Sequence, residues 1–353
     1  MKILITGGCG FVGSSIALHL RSAYPSYSII AFDNLHRRGS ELNIGRLKSE
    51  KIDFVHGDIR QKEDIEAIGK VDVLIEASAE PSVLAGIGSS PDYAINTNLM
   101  GTIHALNYAR LHQATFIFLS TSRVYPINQI EKLRIATDEH RFNLTDAQDI
   151  EGVSAKGISE RFPLEGYRSI YGATKLASEL MIQEYNHFYG LTSVINRCGV
   201  LTGPWQMGKS DQGVAVLWLA RHFWNQSLSY IGFEGSGRQV RDILHVRDLC
   251  RLIDMQIHDS KKFNGQTFNV GGGVKNSISL KEMTLICQKV TGNTIPVHPV
   301  PEARQADIAV YITDNSRIET FCPWRPEIQP EQIFSEIYEW ITKNEELLTP
   351  ILK

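Results

Sequence analysis

The chain has 353 residues, of which 42% are hydrophobic and 21% charged, and a formal net charge of −3; that is the balance of a globular protein with one large or two modest domains. Such a charge leaves no footprint for a polyanion, so nucleic acid is not an expected partner, and no apolar run approaches the roughly 18 residues of a membrane span. Cys9, Cys198, Cys250, Cys287 and Cys322 are scattered, and the 11 histidines show no paired spacing, which suggests neither a disulfide framework nor a metal site.

Met1 to Thr6 is a short apolar run with β-branched members, followed by Gly7-Gly8-Cys9-Gly10-Phe11-Val12-Gly13 and a helical pattern to about Arg21. The order predicts strand, glycine-rich turn, helix. With the strand starting at residue 2, no signal peptide fits ahead of it, and a cytoplasmic location is expected. Residues without a Cβ at Gly7, Gly10 and Gly13 let the backbone N–H groups of the turn and of Phe11 and Val12 close on a pyrophosphate at the positive end of the helix. An ordinary strand-to-helix turn could carry the same glycines. What favours a dinucleotide is the context, because Asp33 closes the next apolar run, Ile29-Ile30-Ala31-Phe32, at the distance where a carboxylate meets the adenosine ribose. That carboxylate repels a 2′-phosphate, so NAD is expected over NADP. Arg37 and Arg38 could reach a 2′-phosphate, but while Asp33 stands they are read as solvated loop charges or contacts to the NAD phosphates; Asn34 and Arg38 are taken as cofactor contacts beside Asp33.

Strands and helices then alternate. Ile52 to His56 ends in Gly57-Asp58-Ile59-Arg60, Val71 to Glu76 ends in Ala77-Ser78-Ala79, and Thr115 to Leu119 ends in Ser120-Thr121-Ser122-Arg123-Val124-Tyr125; a helical stretch runs from Pro91 to Leu111. This βαβ rhythm predicts an α/β fold with a doubly wound parallel sheet, whose ligands lie at the carboxyl ends of its strands. Asp33, Asp58, Ile59, Ala77, Ser78, Ala79 and Ser120 fall there. Asp58 is either a partner of the adenine amino group or a solvated loop aspartate.

From Pro126 to Arg168 the pattern is irregular and polar, a long insertion of the sort kept for functional loops. It ends at Tyr171-Gly172-Ala173-Thr174-Lys175, opening a helix to Tyr189. Tyr171 and Lys175 share a helix face. A free tyrosine ionises near ~10, too high for a base at neutral pH, and a neighbouring ammonium lowers it by stabilising the phenolate. Tyr171 is therefore the expected base towards a substrate hydroxyl, with Thr121 bridging the proton and Lys175 also holding the nicotinamide ribose.

Leu191 to Arg197 is a further strand. Beyond it the texture changes: Gly203-Pro204-Trp205-Gln206 reads as a loop, Gly213 to Trp224 as an amphipathic helix, and Gly235 to Asp242 as a basic loop before Ile243-Leu244-His245-Val246. Arg241 and Arg304 stand in loop contexts, either as solvated charges or as partners of a diphosphate. The expected division is a Rossmann domain over 1–198 with a returning segment at about 242–260, and a smaller α/β substrate lobe over 199–241 and 261–353.

In this order the glycine motif, Asp33, Asp58, Asn98 in Asn98-Leu99-Met100-Gly101-Thr102, Thr121, the Tyr171 and Lys175 pair and Arg241-Asp242 resemble the extended short-chain dehydrogenase/reductase family over the whole chain. The resemblance implies NAD as cofactor, Asn98 in its site, a nucleotide-sugar substrate and a homodimer. Within the family the chain looks most like the CDP-tyvelose and CDP-paratose 2-epimerases, on Asp33-Asn34-Leu35 with Arg38-Gly39, Gln206 with Asp211-Gln212-Gly213, and Gly237 to Asp242. That implies inversion of a sugar C2 by transient oxidation, with Ser122, Arg123, Gln206, Gln212, Arg241 and Arg304 on the substrate side. Two departures stand out. Thr121-Ser122-Arg123 replaces the Thr-Asp-Glu of sugar-nucleotide 4,6-dehydratases, and Pro126 follows Tyr125 in place of glycine. A 4-epimerase or 4,6-dehydratase is the alternative, and a non-catalytic NAD-binding regulator the alternative of another class.

Overall fold

The computed structural model describes residues 1–208 and 212–353; Asp211 of the segment above lies outside the described residues. The chain divides into two compact units: Met1–Val124, Ser169–Arg197 and Leu249–Phe268 form the first, and Tyr125–Arg168, Cys198–Asp248 and Asn269–Lys353 the second.

The first unit is built on a seven-stranded sheet of β1 (Lys2–Thr6), β2 (Ser28–Asp33), β3 (Asp53–His56), β4 (Val73–Glu76), β5 (Thr115–Thr121), β6 (Ser193–Cys198) and β7 (Gln266–Val270), in the order β7-β6-β5-β4-β1-β2-β3. β1 pairs in parallel with both β2 and β4, β2 with β3, and β4 with β5. Near-continuous apolar runs explain this. Ile3, Leu4, Ile5, Leu74, Ile75, Phe116, Ile117 and Phe118 are all fully buried, as strands covered by helices on both faces require. One core joins Leu4, Phe32 and Leu74 to Phe116, Phe118, Ile182 and Ile195. Register does the positioning: Thr6 lies opposite Phe32 and Glu76, and Glu76 opposite Phe118. The chain therefore leaves β1, β2 and β4 at nearly one level, β5 runs three residues further to Thr121, and the order reverses between β1 and β4, where such sheets open a crevice.

The helix expected over Pro91 to Leu111 is interrupted. Asp92–Ile95 passes through a π-helical turn at Asn96–Met100 before Gly101–His112. The hydroxyls of Thr102 and Ser178 donate to the Asn98 carbonyl at 2.7 and 3.0 Å, bonds that compete with the regular helical ladder.

In the second unit the strand Val240–His245 pairs with Val200–Thr202, Ser277–Ser279 and Val310–Tyr311, and the helices Val214–Phe223, Leu280–Thr291 and Pro330–Lys343 pack on one another. Two boundaries differ from expectation. The insertion is not an irregular loop of the first domain: it folds into the hairpins Ile135–Thr137 with Phe142–Leu144 and Val153–Ser154 with Gly157–Ile158. Phe142 and Leu144 pack on buried Val240, Val310 and Ile312, and the Ile158 amide donates to the Ile312 carbonyl at 2.8 Å, which ties the segment to the second unit. The returning segment is Leu249–Phe268, because residues 242–245 are held in a strand of the second unit. Arg241, expected on a loop, lies in that strand.

Candidate active site

The turn after β1 is tight enough that glycine is required at three places. Gly7 has φ +63°, and a Cβ there would stand 2.8 Å from the Ala77 carbonyl oxygen; at Gly13 it would stand 2.2 Å from the Gly7 oxygen, and at Gly8 2.6 Å from the Ala31 Cα. Gly8 was missed, since its demand comes from β2 and not from the motif. The Gly10 amide donates to the Gly7 carbonyl at 3.0 Å, and Gly10 leads into the helix Phe11–Ala23 with no side-chain cap and no acidic residue in its first turn. Such an end is a positive site for an anion.

Asp33 is already at work in this turn. Its two oxygens accept from the Cys9 amide at 3.0 Å and the Leu35 amide at 2.8 Å. Burial raises its pKa, while the amides of Leu35, Cys9 and Gly10 oppose the rise. Burial, with the Asp33 charge beside it, pushes the Cys9 thiol up to about 12, so that cysteine is no nucleophile. Asn34 donates to Asp58 at 3.1 Å. Arg60 clasps the Asp58 carboxylate through Nε and Nη2 and lies 4.8 Å above the Tyr93 ring. Burial works against the Asp58 charge, but the bonds from Arg60 and Asn34 prevail and bring its pKa to about 2. Ile59 is buried in the core, and its carbonyl bonds with His104 at 3.0 Å. Arg38 is exposed on the loop after β2.

At the end of β4, Ala77 packs on Gly7, and the Ser78 hydroxyl donates to Glu76 at 2.5 Å; Ala79 follows. Glu76 is fully buried and also receives the hydroxyls of Thr6 and Thr102. Asn98 accepts from the Glu80 amide at 2.8 Å and donates to the Glu80 carbonyl at 3.1 Å and the Thr174 hydroxyl at 3.2 Å. It thereby pins the chain beyond β4 to the helix that carries Tyr171.

That helix, Ile170–Tyr189, starts where the Ser169 hydroxyl accepts from the Gly172 amide, which places Tyr171 in the first turn. Lys175, one turn on, is 1% exposed, with its ammonium 4.0 Å from the centre of the Phe118 ring. A turn further, Glu179 forms a buried pair with Arg197 at 2.7 Å and accepts from Ser120. Ser120 thus braces the helix through Glu179. The Arg123 amide donates to Thr121 Oγ1 at 3.2 Å, an arrangement that orients the threonine oxygen and leaves its O–H as a donor. Ser122 and Arg123 lie in a short 3₁₀ turn just beyond. Phe118, Glu179 and Arg197 were not singled out from sequence; the spacing of Tyr171, Lys175 and Glu179 was the available signal for one of them.

The first unit thus brings together the glycine turn, Asp33, Asn34, Asp58, Ala77 to Ala79, Asn98, Ser120 to Arg123, Tyr171 and Lys175. Arg38 and Ile59 lie in the first unit as well, and Gln206, Gln212, Arg241 and Arg304 lie in the second. Gln206 donates to the Leu201 carbonyl and accepts from the Thr202 hydroxyl, each at 2.9 Å, so it braces its own loop. Gln212 is half-buried. Arg241 pairs with Asp307 at 2.9 Å and donates to the Ile308 carbonyl. Arg304 is exposed. Among the described residues no cluster could hold a metal ion and no helix is long and apolar enough to cross a membrane.

Residues 3–271 match the model of the NAD dependent epimerase/dehydratase family. The chain is 30% identical to CDP-paratose 2-epimerase of Salmonella typhi, over 96% of this chain and 99% of that protein. It resembles the structure of dTDP-glucose 4,6-dehydratase from Bacillus anthracis in complex with NAD, with a TM-score of 0.78, 25% identity and 99% of each chain covered. The fold is also that of UDP-glucuronic acid 4-epimerase from Bacillus cereus, with a TM-score of 0.80, 22% identity and coverage of 97% and 99%.

Proposed function

The chain belongs to the NAD dependent epimerase/dehydratase family, an enzyme family with NAD as cofactor, and from that premise we propose that it is a nucleotide-sugar epimerase inverting C2 of a CDP-linked hexose. The first unit is the NAD-binding domain and the second the sugar-nucleotide lobe. The glycine cradle, which no Cβ could enter at Gly7 or Gly13, and the uncapped helix after it fit a dinucleotide pyrophosphate. Asp33 and Asn34 suit the adenosine ribose, Arg38 the phosphates, and Asp58 and Ile59 the adenine. Ala77, Ser78, Ala79, Asn98 and Ser120 line the approach to the nicotinamide half.

When bound, NAD supplies a reversible hydride acceptor for the sugar carbon. Tyr171 takes the proton of the sugar hydroxyl as its carbon is oxidised and gives it back on reduction. Lys175, buried with its ammonium over the Phe118 ring, lowers the cost of the phenolate, and Thr121, its oxygen oriented by the Arg123 amide, passes the proton through its O–H. The observation that carries the choice of reaction is Ser122-Arg123 on the 3₁₀ turn beside Thr121. Elimination of water needs a proton donor and a carboxylate base there; a serine hydroxyl is a poor acid and a guanidinium stays protonated. Likeness to CDP-paratose 2-epimerase over nearly the whole length supports C2 and cytidine.

The test is incubation with CDP-, UDP-, GDP- and dTDP-sugars in deuterated water, with the sugar protons followed by NMR. The expected result is inversion at C2 of a CDP-sugar with the hydrogen retained. Inversion at C4, a 4-keto-6-deoxy product, or solvent deuterium at the inverted carbon overturns the assignment. We also propose a cytoplasmic location and, as the family resemblance implies, a homodimer; light scattering on the eluted protein measures the second point.

A further inference from the structure

Lys175 carries a charge that its surroundings oppose. The side chain is almost fully buried, and burial of an ammonium favours the neutral amine. The carboxylate one turn on, Glu179, is engaged elsewhere: Arg197 reaches it through Nε and Nη2 at 3.1 and 2.7 Å, and Ser120 donates to it as well.

What β5 brings to the ammonium is an aromatic face. Side chains alternate along a strand, so Phe116, Phe118 and Ser120 share the side of β5 that packs with Ile182 and Tyr185 of the helix Ile170–Tyr189. Ser120 meets Glu179 there, and the fully buried Phe118 ring has the Lys175 ammonium 4.0 Å from its centre. A ring face is the negative side of the aromatic quadrupole, and a cation within about 6 Å of it is held most strongly when both are out of water. The strand pattern asks only for an apolar residue at 118, and leucine or isoleucine would be buried there equally well. Neither has such a face.

On its own helix the titratable groups flanking Lys175 are Tyr171, one turn before, and Glu179. Of the elements packed on that helix, β5 and the π-helical turn at Asn96–Met100 carry no titratable side chain. Arg123 stands in the 3₁₀ turn beyond β5, and Tyr93 of Asp92–Ile95 lies under Arg60. In Gly101–His112, His104 bonds with the Ile59 carbonyl and Tyr108 with that of Gly69, Arg110 lies over Tyr189, and His112 packs against Tyr108.

We propose that Phe118 is a positioning residue for proton transfer: its ring face holds the Lys175 ammonium charged and in place, and through it supports the Tyr171 phenolate. The inference rests on the roles given to Tyr171 and Lys175 above and goes one residue beyond them.

Phenylalanines carrying one, two and three ring fluorines at position 118 test this, because fluorine weakens the negative face and leaves the ring nearly its size. Two quantities are read. One is turnover on the sugar nucleotide that is inverted; the other is the pH midpoint of Lys175, followed by NMR with lysine carrying carbon-13 at Cε and assigned by its loss in Lys175→Met. Both should fall stepwise with each fluorine, at unchanged KM and melting temperature. Phe118→Leu, with no face at all, should lower the midpoint by about one unit and turnover by about tenfold; if it melts early, the fluorinated rings still carry the test. The same fluorines at Phe116, whose ring centroid is 6.3 Å from that of Phe118, should change neither quantity. A midpoint that ignores the fluorines at 118 overturns the proposal, and so does a falling midpoint with turnover unchanged. A falling midpoint in a chain that inverts no sugar nucleotide upholds the hold of Phe118 on Lys175 and sinks the reaction instead.

Discussion

In the first unit, many of the groups assigned to NAD and to proton transfer lie within three residues of a strand end: Gly7 after Thr6, Asp58 after His56, Ala77 after Glu76. A cavity in the second unit is assembled instead from residues 127–135, Tyr167, Phe233 and 303–310, with no shared local pattern. The first arrangement is locked by buried polar bonds, Asn98 on Glu80 and Thr174 and Glu179 on Arg197. The second is lined mainly by aliphatic side chains. A site that must place a reacting hydrogen needs the stiffness of the first kind; an apolar cavity offers shape and one or two polar groups.

The largest effect should come from the proton-transfer group. Tyr171→Phe removes the phenol and is expected to lower turnover by roughly 10²- to 10⁴-fold, with NAD still bound. Turnover on sugar nucleotides and the nucleotide content of the purified protein measure the two quantities. Unchanged turnover would take the proton-transfer role from Tyr171, and a natural chain that turns over no sugar nucleotide while still binding NAD would belong to the regulator class.

Next is the brace behind the helix. Arg197→Met leaves Glu179 buried without its cation, which should cost about 3–5 kcal/mol in urea unfolding. A loss below ~1 kcal/mol, the scale of an exposed pair, would mean that the first unit is not held by its buried polar bonds.

Gly13→Ala puts a methyl where only 2.2 Å separates it from the Gly7 oxygen. Overpacking of this order costs about 1–3 kcal/mol, and opening the turn should lower NAD affinity as well; the same change at Gly45, where a Cβ meets nothing within 4 Å, is the control.

The smallest effect is on pH dependence and belongs to the second unit. Asp242 is fully buried, and burial raises its pKa against the bonds from Thr313 and Gly273. A raised pKa means that the folded chain keeps a proton the unfolded chain has released, so this contribution is complete below the ordinary carboxylate range and declines as pH rises towards the folded value. Asp242→Asn replaces the acid by a neutral amide. Measured by urea unfolding, its stability relative to the natural chain should rise as pH goes up from the ordinary carboxylate range. A relative stability that falls with pH would show an ionised, well-paired carboxylate.

The sequence by itself determined what depends on short-range spacing. Three glycines at intervals of three between a strand and a helix require a close turn; an aspartate closing the next strand stands beside it because parallel neighbours share a level; Tyr171 and Lys175 share a face because a helix repeats every 3.6 residues. Only the tertiary structure decided what depends on partners far along the chain. Residues 126–168 read as a polar loop because their strands are two or three residues long, too short for periodicity, and they fold against Val240, Val310 and Ile312. Ser120, read as a cofactor contact, hydrogen-bonds with Glu179 59 residues away, and Arg241, read as a loop cation, pairs with Asp307 across 66 residues. Gly8 had no motif to mark it, since the space it lacks is taken by Ala31 on the neighbouring strand. Backbone periodicity is written into neighbouring residues, whereas burial and ion pairing are properties of surfaces that exist only once the strands and helices have met.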